Sequence, residues 1–294
     1  MVGVTEHFVP EARVLALAGH PETFARVHVT DPGAPTVLLS HGWLASADLN
    51  WYALYGALAE RANFVAIDHR GHGRGAHSVE PFTLVDAADD AAALLDHLGV
   101  GPVVVAGYSM GGPIGLHLAS RRPDLVSGLV LVSTALRFSG GFRDRLLWWA
   151  RGATGLALRW RAQGRLFRRI VDRVSAEDEL TAAWRGHLLG EVRRGSTDDF
   201  LAAARDLRGF DGASIAARLT VPTATVVSRR DRVVPPRRQR ELAAALGGAV
   251  VELDADHDAF VRNTAAYAAA VLDALDRVGV GAGDPAQPTT ARPS

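Results

Sequence analysis

The ten residues from Val103 to Gly112 constrain this chain more than any other stretch. Val103-Val104-Val105-Ala106 is a run of small or β-branched apolar residues that reads as a buried strand, and Gly107-Tyr108-Ser109-Met110-Gly111 follows it directly. The next residues, Pro113-Ile114-Gly115-Leu116-His117-Leu118-Ala119, have helical character. A serine placed between a strand and a helix must take a sharp, strained turn, and Gly107 and Gly111 lack the side chains that would clash as that turn closes. The hydroxyl of Ser109 is then lifted clear of the sheet, near the N-terminal end of a helix whose amides and dipole favour an oxyanion. Gly-x-Ser-x-Gly alone also suits an ordinary turn. The apolar strand before it and the helix after it are what point to a nucleophile.

The same strand–helix rhythm extends along the chain. Strands are expected at Arg13 to Ala18, Phe24 to Val29, Thr36 to Ser40, Asn63 to Ile67 and Gly128 to Val132. Helices are expected over Leu49 to Ala62 and over Leu84 to Leu98, where Gly99 closes the second. After Val132 the rhythm changes, and residues from about Thr134 to Gly212 are helix-like, rich in Arg and Trp, with no convincing strand. Alternation resumes with strands at Thr223 to Ser228 and Ala249 to Leu253 and helices over Pro236 to Leu246 and Phe260 to Val278. Such alternation predicts an α/β fold, a mostly parallel central sheet with helices on both faces, and the long helical stretch becomes an insertion between two strands.

Composition narrows the function classes. The 294 residues suffice for one large domain with an insertion, and 48% of them are hydrophobic. The formal charge is zero, so no global field favours nucleic acid. All 32 basic residues are arginine, and the absence of cysteine excludes disulfides, thiolate metal sites and a cysteine nucleophile. Met1 to Pro10 has neither the basic nor the apolar segment of a secretion signal, and no run approaches a membrane span. The expectation is a cytoplasmic protein with no stable membrane insertion; nothing in the sequence sets its oligomeric state.

In an open α/β sheet, functional residues gather beyond the carboxyl ends of the strands. The polar residues after the expected strands are His41-Gly42-Trp43, the Asp68 loop, Ser109, Arg229-Arg230-Asp231 and Asp254-Ala255-Asp256-His257. Nucleophile, acid and base thus occur in the order Ser, Asp, His. A serine hydroxyl is a poor nucleophile at neutral pH. It needs an imidazole to take its proton and a carboxylate to hold the imidazole in the right tautomer.

These residues resemble an α/β-hydrolase of the serine-nucleophile type with a helical cap. The resemblance is carried by His41-Gly42-Trp43, Asp68-x-Arg70-Gly71-His72-Gly73, Gly107-Tyr108-Ser109-Met110-Gly111-Gly112, Asp231-Arg232-Val233-Val234-Pro235 and Asp256-His257, and covers about residues 12 to 278. It implies a core of residues 1–133 and 215–278 and a helical cap over 134–214, while the Gly/Pro/Thr-rich composition of 279–294 predicts a disordered tail. It also implies Ser109 as nucleophile, His257 as general base, Asp231 as orienting acid, and the backbone amides of Trp43 and Met110 as the oxyanion hole. The implied reaction is cleavage of a small carboxylic ester with an apolar acyl or alcohol part through an acyl-enzyme, with no cofactor and no metal. Lactone opening, C–C bond hydrolysis, acyl transfer, perhydrolysis and a low-turnover small-molecule receptor use the same residues and stay open. Serine at this position separates the chain from the dehalogenase and epoxide hydrolase branches, which resemble the fold but place Asp there. One position departs from the family's pattern: Asp256 precedes His257 where glycine is usual, so Asp254, Asp256 and Asp258 crowd the base.

Other features carry weaker chemistry. His41 reads as a structural residue shaping the oxyanion loop. Asp68, His69 and His72 form a possible metal cluster, but the Gly-rich loop around them reads better as tight packing. From Arg137 to Arg173 only Asp144 and Asp172 oppose many arginines, which are interleaved with Leu146, Trp148, Trp149, Trp160 and Ile170. An apolar lid lining the substrate pocket is the favoured reading there, over anion binding or lipid contact.

Overall fold

The computed structural model describes residues 8–77, 80–138, 165, 168–191 and 193–281. Its framework is one eight-stranded sheet in the order β1-β2-β4-β3-β5-β6-β7-β8. The strands are β1 (Glu11–Leu15), β2 (Thr23–His28), β3 (Thr36–Ser40), β4 (Asn63–Ile67), β5 (Val103–Tyr108), β6 (Val126–Val132), β7 (Thr223–Ser228) and β8 (Ala249–Leu253). β1 and β2 run antiparallel at one edge, and all pairings from β4 to β8 are parallel. Every residue of β4, β5 and β7 is buried, as expected of strands covered on both faces.

Alternation along β5 divides the core in two. Val103 and Val105 pack toward α2 (Leu84–Leu98) and α3 (Gly111–Arg121), together with Leu95, Ile114 and Leu118. Val104, Ala106 and Tyr108 pack toward α1 (Ala47–Ala59) and helix Thr264–Arg277, with Leu54, Tyr55, Val271 and Leu275. Sequence order reverses between β3 and β5, because β3 leads by α1 to a strand on one side while β5 leads by α3 to the other. That reversal opens a crevice beyond the carboxyl ends of β3 and β5, the position where open α/β sheets bind ligands.

Boundaries shift where side chains cap the backbone. α1 starts two residues earlier than expected because the Ser46 side chain accepts the Leu49 N–H at 3.2 Å, and Thr83 caps α2 in the same way through Asp86 N at 3.0 Å. The first strand is Glu11–Leu15 rather than Arg13 to Ala18. The single closing helix expected over Phe260 to Val278 is two pieces, Ala259–Arg262 and Thr264–Arg277, broken at Asn263 with φ −148°. There the Thr264 hydroxyl donates to Asp178 at 2.7 Å, tying the start of the second piece to the segment between β6 and β7. Gly279 turns the chain with φ 93°, and Val280 is fully buried, two residues beyond the expected end of the core.

Between β6 and β7 the described residues contain helices Glu179–Glu191, Thr197–Gly209 and Ala213–Ala216, a helical stretch over 168–174, and no strand. The Arg- and Trp-rich lid residues 139–164, and the tail beyond 281, lie outside the described residues. Helix Glu179–Glu191 rests on α1: Thr181 shares a hydrogen bond of 3.0 Å with Tyr52, and Trp184 packs on Tyr52 and Tyr55. Helix Thr197–Gly209 buries Phe200 and Leu207, and its Asp206 accepts the Leu84 N–H of α2 at 2.7 Å. The inserted segment is therefore anchored on both sides of the crevice. Among the described residues no helix is long and apolar enough to cross a membrane.

Candidate active site

Ser109 follows β5 in the left-handed region, with φ 51°. A non-glycine residue holds that conformation only when its surroundings enforce it. Here the Ser109 N–H donates to Val132 O at 2.9 Å, and the Thr134 hydroxyl donates to Ser109 O at 2.7 Å. Space is as tight as the sequence implies: a Cβ on Gly107 would lie 2.4 Å from Gly111 O, and one on Gly111 would lie 2.1 Å from Ser40 O.

The loops after β7 and β8 bring Asp231 and His257 to this serine. His257 Nε2 lies 3.1 Å from Ser109 Oγ, and His257 Nδ1 lies 2.7 Å from Asp231 Oδ2. An ionised carboxylate only accepts, so Nδ1 carries the proton and Nε2 is free to accept from the serine hydroxyl. The Asp231 side chain is completely buried. The N–H groups of Val233 and Val234 each donate to its Oδ1 at 2.8 Å, and Gln239 Nε2 donates to Oδ2 at 2.9 Å. Tyr108, itself buried, donates its hydroxyl to the His257 carbonyl, so the strand that carries the serine also holds the imidazole loop.

The three neighbouring aspartates are engaged elsewhere. Asp256 Oδ1 accepts the N–H groups of Arg232 at 3.0 Å and His257 at 2.8 Å, Asp254 pairs with Arg230, and Asp258 lies 3.5 Å from Arg262. Of the carboxylates around the ring, Asp231 is the one that reaches Nδ1. Asp256 acts as a turn anchor in the place where glycine was expected.

Trp43 and Met110 flank the serine. Met110 is the residue before α3, and the Gly42 Cα faces Ser109 so closely that an added Cβ would lie 3.2 Å from the serine Cβ. Asn50 of α1 accepts the Gly42 N–H at 2.8 Å, and His41 Nδ1 donates to Gly42 O at 2.8 Å, while its Nε2 accepts the His69 N–H at 3.0 Å. His41 is thus a loop brace, held neutral because burial pushes its pKa well below the usual imidazole range. Among the described residues neither the Trp43 nor the Met110 N–H donates to a protein acceptor.

Asp68, His69 and His72 do not converge as metal ligands. Asp68 accepts the N–H groups of Ala47 at 2.6 Å and Arg74 at 2.8 Å, and His69 Nε2 meets Ser40 Oγ at 2.8 Å. Burial pushes Asp68 up to about 7, His69 down to about 3 and His72 down to about 4. The described group with metal-like spacing is Asp48, His187 and Glu191. Its Asp48 carboxylate already faces the guanidiniums of Arg26 at 2.7 Å and Arg74 at 3.2 Å, and Glu191 pairs with Arg74 and with Arg194 at 3.0 Å, so both carboxylates already have cationic partners.

Two cavities meet at the serine and share Trp43, Leu44, Ser109, Val233 and His257. One, of about 350 Å³, continues over Leu49, Tyr108 and Phe260. The other, of about 370 Å³, continues over Phe138, Leu207 and Pro235 to Arg137 and Arg238. Gln239, Asn50 and Arg238 have no motif in the sequence; what places them is distance in space to residues that do.

A family model of the alpha/beta hydrolase fold matches residues 35–264. The putative carbamate hydrolase RutD of Azorhizobium caulinodans is 30% identical over 255 residues, covering 83% of this chain and 91% of that protein. Among solved structures, the enol-lactonase of Burkholderia xenovorans is similar with a TM-score of 0.73 and 26% identity, covering 90% of this chain and all (100%) of the other. A hydrolase from Pseudomonas aeruginosa superposes with a TM-score of 0.75 at 24% identity over 90% of this chain and 98% of its own, a likeness of fold. This chain belongs to the α/β-hydrolase family and is a hydrolase.

Proposed function

We propose that this α/β-hydrolase is a serine hydrolase that cleaves a carboxylic ester with an apolar acyl or alcohol part. The observation that carries the reading is the unbroken hydrogen-bond chain from buried Asp231 through His257 to Ser109, opening onto two cavities lined largely by apolar side chains. Ser109 attacks the carbonyl carbon as His257 Nε2 takes the hydroxyl proton, and Asp231 stabilises the imidazolium. The Trp43 and Met110 N–H groups receive the oxyanion. Collapse of the tetrahedral intermediate, with His257 returning its proton to the leaving alcohol, forms the acyl-enzyme. Water deprotonated by the same imidazole then releases the acid. No step calls on a cofactor or a metal.

The segment over 134–214 is read as a cap: its helix Thr197–Gly209 contributes Leu207 to the wall of one cavity, and the Trp43 indole donates to Phe200 O at 2.9 Å. The names of the relatives, a carbamate hydrolase and an enol-lactonase, describe substrates with an acyl carbon bonded to a heteroatom, which supports the same reading here. A lactone is an internal ester, and the enol-lactonase likeness favours it as a second substrate form. Initial rates on 4-nitrophenyl esters of increasing acyl length, with Ser109→Ala alongside, test the proposal. Turnover that peaks at one chain length and vanishes in the variant is expected; turnover unchanged in the variant would overturn it.

A further inference from the structure

Three hydroxyls are buried together at the carboxyl ends of β5, β6 and β7, those of Tyr108, Ser133 and Ser228. None has a part in the proposed proton transfers. A buried hydroxyl costs free energy unless it is hydrogen-bonded, and these three bond one another in a line. Ser228 Oγ meets Ser133 Oγ at 2.8 Å, the Ser133 side chain hydrogen-bonds the Tyr108 phenol, and the phenol donates to the His257 carbonyl. The phenol has one proton and gives it to that carbonyl, so it accepts from Ser133, and Ser133 in turn accepts from Ser228. Burial holds the phenol pKa well above the usual tyrosine range, which keeps it a donor. Tyr108 pairs with Val132 in the sheet, so Ser109 and Ser133 leave adjacent strands at the same level, both left-handed, with φ 51° and φ 50°. Such backbone is strained for serine and free for glycine; what Ser133 brings to the position is its hydroxyl.

The line ends on the base. The His257 N–H donates to Asp256 Oδ1 at 2.8 Å and the His257 carbonyl accepts from Tyr108, so both peptide groups of the histidine are held and only its side-chain torsions are left for Asp231 to set. Gln239 reaches the same residue from the acid side, accepting the Ser228 N–H at 2.9 Å and donating to Asp231. Ser228, fully buried, is thus the root of two limbs that close on His257, one through Asp231 to the ring and one through Tyr108 to the backbone. We propose that Tyr108 and Ser133 are positioning residues for the general base, acting through the His257 carbonyl to hold Nε2 in line with Ser109 Oγ. This inference rests on the serine-hydrolase reading and adds two residues to it. An imidazole displaced by a fraction of an ångström loses rate rather than substrate affinity.

Tyr108→Phe keeps the ring that lines the cavity and removes the donor. The expected result is a fall of at least about tenfold in kcat on a 4-nitrophenyl ester and in the rate at which a fluorophosphonate labels Ser109, with KM within about twofold. The ring-nitrogen NMR resonances of His257, assigned by their loss in His257→Gln, should move away from a pure Nδ1–H tautomer. Ser133→Gly removes the second hydroxyl and relieves the left-handed backbone, so it should fold and should slow labelling at least about threefold. A merely structural role would lower Tm in both variants and leave labelling rate and resonances in place, and that result overturns the proposal. If Tyr108→Phe does not fold, the labelling rate of Ser133→Gly decides alone: slowed, it supports the proposal, and unchanged, it refutes it. If the native chain takes no label and turns over no ester, the hydrolase reading is what has failed. The His257 resonances then decide the positioning role: moved in either variant they support it, and unmoved in both they refute it.

Discussion

Gln239 donates to Asp231 Oδ2 at 2.9 Å, the oxygen that also receives the His257 Nδ1 proton at 2.7 Å. The same amide donates to Val234 O at 2.7 Å and accepts the Ser228 N–H at 2.9 Å, so the fully buried Gln239 fastens the acid loop to the end of β7. Under the proposed mechanism it touches no substrate and acts through Asp231 as a positioning residue. Gln239→Leu removes one donor from a carboxylate that must stabilise an imidazolium. The expected result is a fall in kcat of about tenfold with KM little changed, about the worth of a charge-assisted hydrogen bond. A purely structural role would lower Tm and leave kcat of the folded enzyme in place.

Ser109 sits at φ 51°, a conformation that glycine adopts freely and alanine does not. Ser109→Ala and Ser109→Gly both remove the hydroxyl, and each should abolish fluorophosphonate labelling and lower kcat/KM by at least about 10⁴-fold. Their stabilities should differ. Ser109→Gly should unfold at higher urea than Ser109→Ala by about 1 kcal/mol, the cost of left-handed backbone for a residue with a Cβ. Equal midpoints would mean that the turn stores no such strain.

How much of this was legible in the sequence depends on the range of each contact. The residues gathered at Ser109 each follow an apolar run, so Asp231 and His257 are readable as strand-end residues without knowledge of the packing. The aspartates beside His257 are not separable by sequence. What assigns them is where each carboxylate turns, Asp256 to its own loop and Asp231 to the ring. Gln239 is invisible because its role depends on helix Pro236–Leu246 folding back over Asp231. The last helix breaks at Asn263, beside a tie from Thr264 to Asp178, a partner distant in the chain, and local propensity carries no trace of it. Arg238 reads as one more surface arginine until the cavity it lines is known.

Asp48 is the hub of the largest described buried ion network. Arg26 from β2, Arg74 from the loop after β4, Tyr55 from α1 and His187 from helix Glu179–Glu191 all meet its carboxylate, at 2.7, 3.2, 3.0 and 2.6 Å. Asp48→Asn leaves two guanidiniums facing a neutral amide in a site with almost no water. Removing one partner of such a network should cost about 3–5 kcal/mol in urea unfolding, far above a surface pair. Because His187 belongs to the inserted segment, a double-mutant cycle of Asp48→Asn with His187→Gln should show a coupling of at least about 0.5 kcal/mol. Additive effects would mean that the 2.6 Å contact does not tie that segment to α1.

The stability of the fold should fall on mild acidification, and the buried histidines set the direction. His41, His69 and His72 are neutral in the folded chain, with pKa values depressed by burial, to about 3 for His69 and about 4 for His72, against 6.5 as the ordinary value. Between pH 6 and 5 the unfolded chain protonates all three rings while the folded chain protonates none, so each contributes stability that is lost as pH falls. Asp68 works the other way. Raised to about 7 from 3.8, it keeps a proton in the folded chain that the unfolded chain has released across the same window. Three histidines against one carboxyl leave a net uptake of about two protons on unfolding from these four groups, or a loss of about 3 kcal/mol per pH unit. Urea titrations at pH 6 and pH 5 should show that drop, and Asp68→Asn, though less stable overall, should steepen it because the opposing proton is gone. A midpoint that stays level or rises between the two pH values would show that the three rings are already charged in the folded chain.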